Sequence, residues 1–358
     1  MDKRELSKIQ ECFDSNWYTE GSFSKEFTDR ICKLVGAKYG VLAPNGTLAI
    51  YLGLKALGIG EGDEVIVPNF TFIASATAVE MVGAKPVFCE IDDSLHLDLD
   101  IAEKLISKKT KAIMPVHIYG MACDMEKVKT FSRKFNLKII EDAAQGIGVK
   151  WGNQNVGTFG DIGTFSFFAD KTITTGEGGF IVTNDQNIYE DLLYLRNQGR
   201  IDRGSFIHPR IGYNFRSTDI QSAIGLVQLD KLDFILESKS NILSTYKKYL
   251  KPEIVIVEPS SSSKSNHIPF RVCILNNGSS ESLLVHLREN DVEPRSFFYP
   301  LHLQPCFSKL QRKRRFLSNN EHFATSVKMY QTGVCLPSWV GLNEDQIQYI
   351  SGIINEFV

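Results

Sequence analysis

The segment Gly163-Thr-Phe-Ser-Phe-Phe-Ala-Asp-Lys171-Thr-Ile-Thr-Thr-Gly-Glu-Gly-Gly179 sets one lysine between an apolar, strand-like run and a Gly/Thr-rich turn. A lysine amine condenses with an aldehyde to give a Schiff base, the chemistry by which enzymes hold pyridoxal phosphate. Taken alone, Lys171 also reads as a solvated loop lysine, so the residues that accompany it decide. Ser166 precedes it by five positions. A strand that runs into a turn there would let the hydroxyl reach a phosphate while the amine reaches an aldehyde carbon. Gly176, Gly178 and Gly179 permit a sharp return into the next apolar run.

Asp142 follows the apolar stretch Leu137-Lys-Ile-Ile140, within Glu141-Asp-Ala-Ala-Gln145. Ligands of an open α/β sheet bind beyond the carboxyl ends of its strands. An aspartate there could keep a pyridine nitrogen protonated and make the ring an electron sink. Ala143 and Ala144 leave room for a flat ring, and Gln145 could donate to a phenolate oxygen. A helix cap with a tight turn accounts for the same residues. Asn45-Gly46-Thr47 stands before a predicted helix, whose free N–H groups and partial positive charge suit a phosphate. It reads equally as a turn with a cap, or as a glycosylation sequon in a secreted chain. Phe72, after Pro68-Asn-Phe-Thr, could stack on a ring or belong to the core.

The elements that must position these residues follow from the apolar pattern. From about Val41 to Thr183, short apolar runs alternate with amphipathic stretches, which predicts an α/β sheet built on crossover helices. Strands are expected at Val65–Pro68, Pro86–Cys89, Ala112–Val116, Leu137–Ile140, Phe165–Phe168 and Phe180–Thr183. Helices are expected at Leu48–Leu57, Ile73–Val82, Met125–Phe135, Ile188–Leu195 and Asp219–Ile235. In the last of these, Asp230 and Lys231 interrupt the apolar stripe. Beyond Ile235 the pattern predicts a helix at Ile242–Leu250, a polar loop at Pro259–Asn266 and a strand at Phe270–Leu275. A helix near Ser282–Asn290, a strand at Arg295–Tyr299 and a closing helix at Glu344–Phe357 complete it. The expected division is a large domain over 1–235 and a smaller α+β domain over 236–358.

Bulk properties narrow the function. With 358 residues, 43% hydrophobic and 23% charged, the chain has the make-up of a globular protein. A net charge of -2 gives no global pull toward nucleic acid or an anionic membrane. The charged start Met-Asp-Lys-Arg leads into no apolar stretch, so neither a signal peptide nor a membrane span is expected. The seven cysteines are scattered and the histidines lack ligand spacing, which predicts free thiols in a reducing cytoplasm and no metal centre. The basic run Arg312-Lys-Arg-Arg315 reads as a solvated face.

Taken as a set, Asn45-Gly-Thr47, Pro68-Asn-Phe-Thr-Phe72, Pro115-Val-His-Ile-Tyr-Gly120, Glu141–Gln145, Phe165-Ser-Phe with Lys171 and Thr175–Gly179, and Gly212-Tyr-Asn-Phe-Arg216 resemble the DegT family of sugar nucleotide aminotransferases. The likeness runs from about Cys12 to the C-terminus in the family's order and spacing. Arg196-Asn-Gln-Gly199, Gly212–Arg216 and Phe298-Tyr-Pro-Leu-His302 resemble in particular its GDP-perosamine synthase branch, although Gln145 stands where that branch often carries Glu.

The resemblance implies the type I pyridoxal 5'-phosphate (PLP) transferase fold: a mostly parallel central sheet with helices on both faces, plus a smaller C-terminal α+β domain. It implies that Lys171 forms the Schiff base, Asp142 pairs with the ring nitrogen and Gln145 meets the ring hydroxyl. Phe72 and Ala144 would sandwich the ring, with Gly46, Thr47 and Ser166 on the phosphate. Asn214 would reach the phosphate of a partner subunit in a homodimer with shared sites, and Arg216 and His302 are candidate substrate contacts. The implied activity moves an amino group from L-glutamate to a nucleotide-linked keto-deoxysugar, a 4-keto-6-deoxyhexose, for surface polysaccharide biosynthesis. A 3-keto-sugar or cyclitol aminotransferase, or a non-catalytic regulator of the same fold, are the alternatives. Retention of Lys171 separates the chain from related dehydratases, which carry histidine there.

Overall fold

The computed structural model describes residues 1–200, 204, 206–308 and 320–358. The run Arg312–Arg315 lies outside the described residues. Seven strands make the main sheet: β1 (Tyr39–Ala43), β2 (Glu64–Pro68), β3 (Lys85–Cys89), β4 (Thr110–Ile113), β5 (Lys138–Asp142), β8 (Ile162–Ser166) and β9 (Gly179–Thr183), while β6 (Lys150–Trp151) and β7 (Gln154–Asn155) pair as a separate hairpin. The order is β1-β9-β8-β5-β4-β2-β3. β9 runs antiparallel to both of its neighbours, and every other pairing is parallel.

Consecutive residues of these strands are apolar because both sheet faces are covered. Ile66, Ile113 and Ile139 pack on one side with Phe27 and Ile31 of helix Ser22–Val35 and with Val128 of helix Met125–Phe135. Val65, Val67 and Ile140 pack on the other with Leu52 and Leu54 of helix Gly46–Ala56 and Val79 of helix Ala74–Met81. Since β2, β5 and β8 are parallel, their carboxyl ends share one edge, and Pro68, Asp142 and Ser166 come to it together.

The second sheet has the order β10-β11-β13-β12, built from β10 (Val255–Ile256), β11 (Val272–Leu275), β12 (Arg295–Ser296) and β13 (Gly333–Leu336) with antiparallel neighbours throughout. Its residues alternate. Val272, Ile274, Val334 and Leu336 pack under Ile242 and Tyr246 of helix Leu232–Tyr249 and Ile350 of helix Glu344–Phe357. Cys273 and Cys335 face the opposite way, onto Phe70, Tyr119 and Phe297.

Several expected boundaries move. The strand expected at Phe165–Phe168 ends at Ser166, because the Phe167 N–H donates to Gly178 O and the Lys171 N–H to Phe168 O, which turns the chain. The helix expected over Asp219–Ile235 stops at Asp230, and Leu232–Tyr249 follows as one helix that absorbs the element expected at Ile242–Leu250. Lys231, one of the two charges that interrupt the stripe, marks the break; its amine pairs with Glu5 of the N-terminal helix Lys3–Asp14 at 2.5 Å and with that helix's N-cap Asp2 at 3.0 Å. Strand β1 and the helices Lys3–Asp14 and Ser22–Val35 are additions to the expected list.

Candidate active site

Lys171 occupies the loop between β8 and β9. That loop is closed on itself by bonds from Phe167 N–H to Gly178 O and from Thr175 N–H to Phe167 O, both 2.9 Å. The Lys171 amine sits 4.6 Å from the centroid of the Phe270 ring and has no hydrogen-bond or ion-pair partner among the described residues. Burial lowers its pKa; Asp170 and Asp142 pull it back up and Arg271 pushes it further down. An amine held this way is a free nucleophile over a wider pH range than a solvated lysine.

The strand end at β5 carries two carboxylates pointing to opposite faces, as successive strand residues must. Glu141 is fully buried and accepts from the N–H groups of Gly157, Phe159 and Gly160, each at 2.7 Å. It also accepts from His117 at 3.0 Å. The His117 Nδ1 accepts from the Cys123 N–H, so the ring proton resides on Nε2 and is donated to Glu141. His117 is thus a satisfied structural histidine. Glu141 pins the strand end, and Asp142 is left facing the cavity. Its Oδ2 accepts from Ser75 Oγ at 2.7 Å and its Oδ1 from the Ala144 N–H at 3.1 Å. Ser75 Oγ in turn lies 3.1 Å from Thr71 Oγ1. Asp142 therefore has fixed geometry, with no cation in hydrogen-bond contact among the described residues.

A cup forms where helix Gly46–Ala56 begins. Asn45 Oδ1 accepts from the Leu48 N–H, which leaves the N–H groups of Gly46 and Thr47 pointing out of the helix start. Gly46 is required there: a Cβ on it would stand 2.9 Å from Ser166 Cβ and 3.2 Å from Ser166 Oγ. The close approach puts backbone donors and a serine hydroxyl side by side, the donor set a phosphate takes.

Gly46, Thr47, Phe72, Asp142, Ala144, Gln145, Ser166 and Lys171 all wall one cavity of about 430 Å³. Phe72 is 58% exposed and packs edge-on against Phe298, which itself stacks on Tyr119 at 5.4 Å. Gln145 Oε1 accepts from the Tyr119 N–H, so its amide nitrogen remains the donor end. Tyr119 takes φ 52°, unusual for a bulky residue, and sets its N–H on Gln145 and its ring behind Phe298. The cavity has a phosphate cup, an aromatic wall, a carboxylate and a buried amine, and these residues fit PLP.

Three expected site residues stand outside this chain's own cavity wall, Asn214 among them as a residue expected to serve the partner's site. Asn214 is exposed, with its Oδ1 accepting from Arg216 Nε at 2.9 Å. Arg216 pairs with Glu20 at 3.4 Å, outside the cavity wall. His302, expected at the substrate, is 1% exposed, stacked on Phe323 at 4.4 Å, and its N–H donates to Asn69 Oδ1. Its burial in the core removes it from the cavity wall. Sequence reading missed Ser75, Phe270, Arg271 and Phe298. Thr71 and Ser75 had a legible signal, two hydroxyls just after a strand end, one before helix Ala74–Met81 and one in its first turn.

Residues 1–355 match the family model described as the DegT/DnrJ/EryC1/StrS aminotransferase family. The chain is 40% identical over 359 residues to the GDP-perosamine synthase of Escherichia coli O157:H7, covering 99% of this chain and 95% of that one. It is 37% identical over 362 residues to the GDP-perosamine synthase of Vibrio cholerae, covering 100% and 97%. Among solved structures it resembles Helicobacter pylori PseC, an aminotransferase involved in the biosynthesis of pseudoaminic acid, with TM-score 0.90, 27% identity, and coverage of 99% and 96%.

Proposed function

Because this chain belongs to the DegT/DnrJ/EryC1/StrS aminotransferase family, we propose that it moves the amino group of L-glutamate to a GDP-linked 4-keto-6-deoxyhexose. It is a PLP-dependent aminotransferase of nucleotide-linked sugars. The observation that carries the chemistry is the meeting, in one cavity, of a Lys171 amine without a hydrogen-bond or ion-pair partner among the described residues and the Ser75-held Asp142. The GDP-sugar assignment draws on the two relatives named GDP-perosamine synthase.

When bound, PLP supplies an aldehyde for the lysine and a ring that accepts the electron pair of a broken Cα–H bond. Gly46, Thr47 and Ser166 would hold its phosphate, Phe72 and Ala144 its two ring faces, and Gln145 its hydroxyl. Asp142 would hold a proton on the ring nitrogen, and Ser75 and the Ala144 N–H would keep that carboxylate aimed. Lys171, once displaced by the amino donor, would take the proton from the donor's Cα as general base and return one as general acid. Burial lowers the pKa of its amine, which favours the unprotonated form a base needs.

The second subunit enters through Asn214. It is exposed and lies outside its own chain's cavity, on a segment bearing Phe206 and Ile211, which are 86% and 84% exposed. That apolar segment suits a homodimer in which Asn214 reaches the neighbouring phosphate cup. The seven free cysteines suit a reducing cytoplasm. The test is an absorption spectrum of the purified holoenzyme, taken before and after L-glutamate and then the GDP-linked keto sugar. The yellow band should fade with glutamate and return with the sugar. A band that fades and does not return would discard this acceptor, and absence of any band would discard the enzyme.

A further inference from the structure

Arg271 and Arg295 are assigned no cofactor contact and no proton transfer above, yet they stand along the mouth of the cavity. We propose that these two arginines form the subsite for the diphosphate of the nucleotide-linked sugar, an inference that rests on the aminotransferase reading. The register of the second sheet brings them together. Cys335 pairs directly with Cys273 on one side and with Arg295 on the other. Residues directly opposite across strands share a face, as do residues two apart along one strand. Arg271, two before Cys273, therefore lies on the same face as Cys273, Cys335 and Arg295, the face turned to Tyr119 and Phe297. Strand spacing and rise put the two arginine Cα atoms about 12 Å apart. Two side chains of that length can converge on one extended anion.

Their surroundings match the role. Arg271 walls the cavity that holds Lys171 and also the adjoining groove of about 680 Å³, which runs past Phe72, Phe298 and Tyr299 to Arg295. One nitrogen of Arg271 is fixed on Asp170 Oδ2 at 2.8 Å, and its guanidinium lies 5.2 Å from the Phe270 ring centroid. Its other N–H groups make no hydrogen bond among the described residues. Arg295 is exposed and has no ion pair among them. Asp170 sets the position of the first guanidinium, and Arg295 adds charge that no acid in hydrogen-bond contact cancels. Planar guanidinium forks suit paired phosphate oxygens. A diphosphate lies one sugar ring away from a reacting ring carbon, which places it at the mouth when the sugar is inside. The carboxylate next to the reacting carbon of an amino acid would instead lie deep in the cavity.

The experiment is calorimetric titration of GDP into the PLP holoenzyme, for the parent, Arg295→Gln, Arg295→Lys and Arg271→Gln. Each Gln variant should weaken GDP binding about tenfold or more, with Lys at 295 intermediate, as expected for loss of a charge-assisted contact. Fading of the yellow band with L-glutamate should proceed in Arg295→Gln as in the parent. Equal GDP affinity in all four proteins would overturn the assignment. So would a loss of the glutamate step that parallels the loss of GDP binding, since the arginines would then serve the amino donor. A parent that binds GDP through these arginines but never fades with glutamate keeps the subsite and removes the aminotransferase reading.

Discussion

Replacing Lys239 by Met should remove a pH dependence of stability that the parent carries between about pH 8 and 10.5. Lys239 lies on helix Leu232–Tyr249, is 5% exposed, and donates to the carbonyl oxygens of Pro269 and Phe270 at 3.3 Å each. It thereby holds the backbone of the ring that lies beneath Lys171. Burial depresses its pKa from 10.5 to about 8, with Arg271 adding repulsion and Asp170 opposing it. The unfolded lysine keeps its proton up to the higher value and the folded one only up to the lower. Between them the unfolded chain holds more protons, so this group's contribution rises with pH and is fully present above 10.5. At about 1.4 kcal/mol per pKa unit, the swing is about 3 kcal/mol. Methionine keeps the apolar stem but strands two carbonyls at a cost of about 1–3 kcal/mol. Parent and variant should thus be similar at neutral pH, and the parent should lead by about 2–3 kcal/mol near pH 10. Guanidinium unfolding followed by tryptophan fluorescence, in both proteins across that range, measures the difference. A parent-minus-variant difference that stays constant with pH would refute the argument.

Ser75→Ala removes the hydroxyl that Asp142 accepts from and should lower kcat about tenfold, with Thr at that position restoring most of it; steady-state kinetics of all three proteins decides. Gly46→Ala drives a methyl against Ser166 and should raise the cofactor Kd at least about tenfold with the circular dichroism spectrum unchanged, as fluorescence titration of the apoprotein would read. Lys171→Ala and Asn214→Ala should each be inactive while folded. Mixed after mild dissociation, they should regain about a quarter of parental activity through hybrid dimers with one intact site; no recovery would argue against sites shared between subunits.

The main sheet was legible because burial on both faces writes short apolar runs, as in Val65-Ile-Val and Ile139-Ile140. Asp142 could be placed from sequence because it follows such a run, whereas Ser166 was expected inside a strand, Phe165–Phe168, that the fold ends at Ser166. The limits have particular causes. Lys231 interrupts a helical stripe, but only its pairing with Glu5, from the far end of the chain, shows that the interruption is a boundary. Arg271 sits in Pro269-Phe-Arg-Val272 with no periodicity to mark it, and its meaning comes from a strand register made with Gly333–Leu336. His302 looked available because it follows Phe298-Tyr-Pro, yet the fold packs it against Phe323. No local pattern reports such a partner.

The contact of Gly46 with Ser166 has a bearing on assembly. The cup's two sides belong to segments far apart in the chain, and it exists only after helix Gly46–Ala56 has docked beside β8. An unfolded chain offers no such cup, so an anion bound there stabilises the folded state alone, by about 2.7 kcal/mol at a hundredfold excess over its Kd. Cofactor supply during synthesis should then govern how much of the protein escapes degradation, and cells short of the vitamin would lose enzyme mass as well as activity.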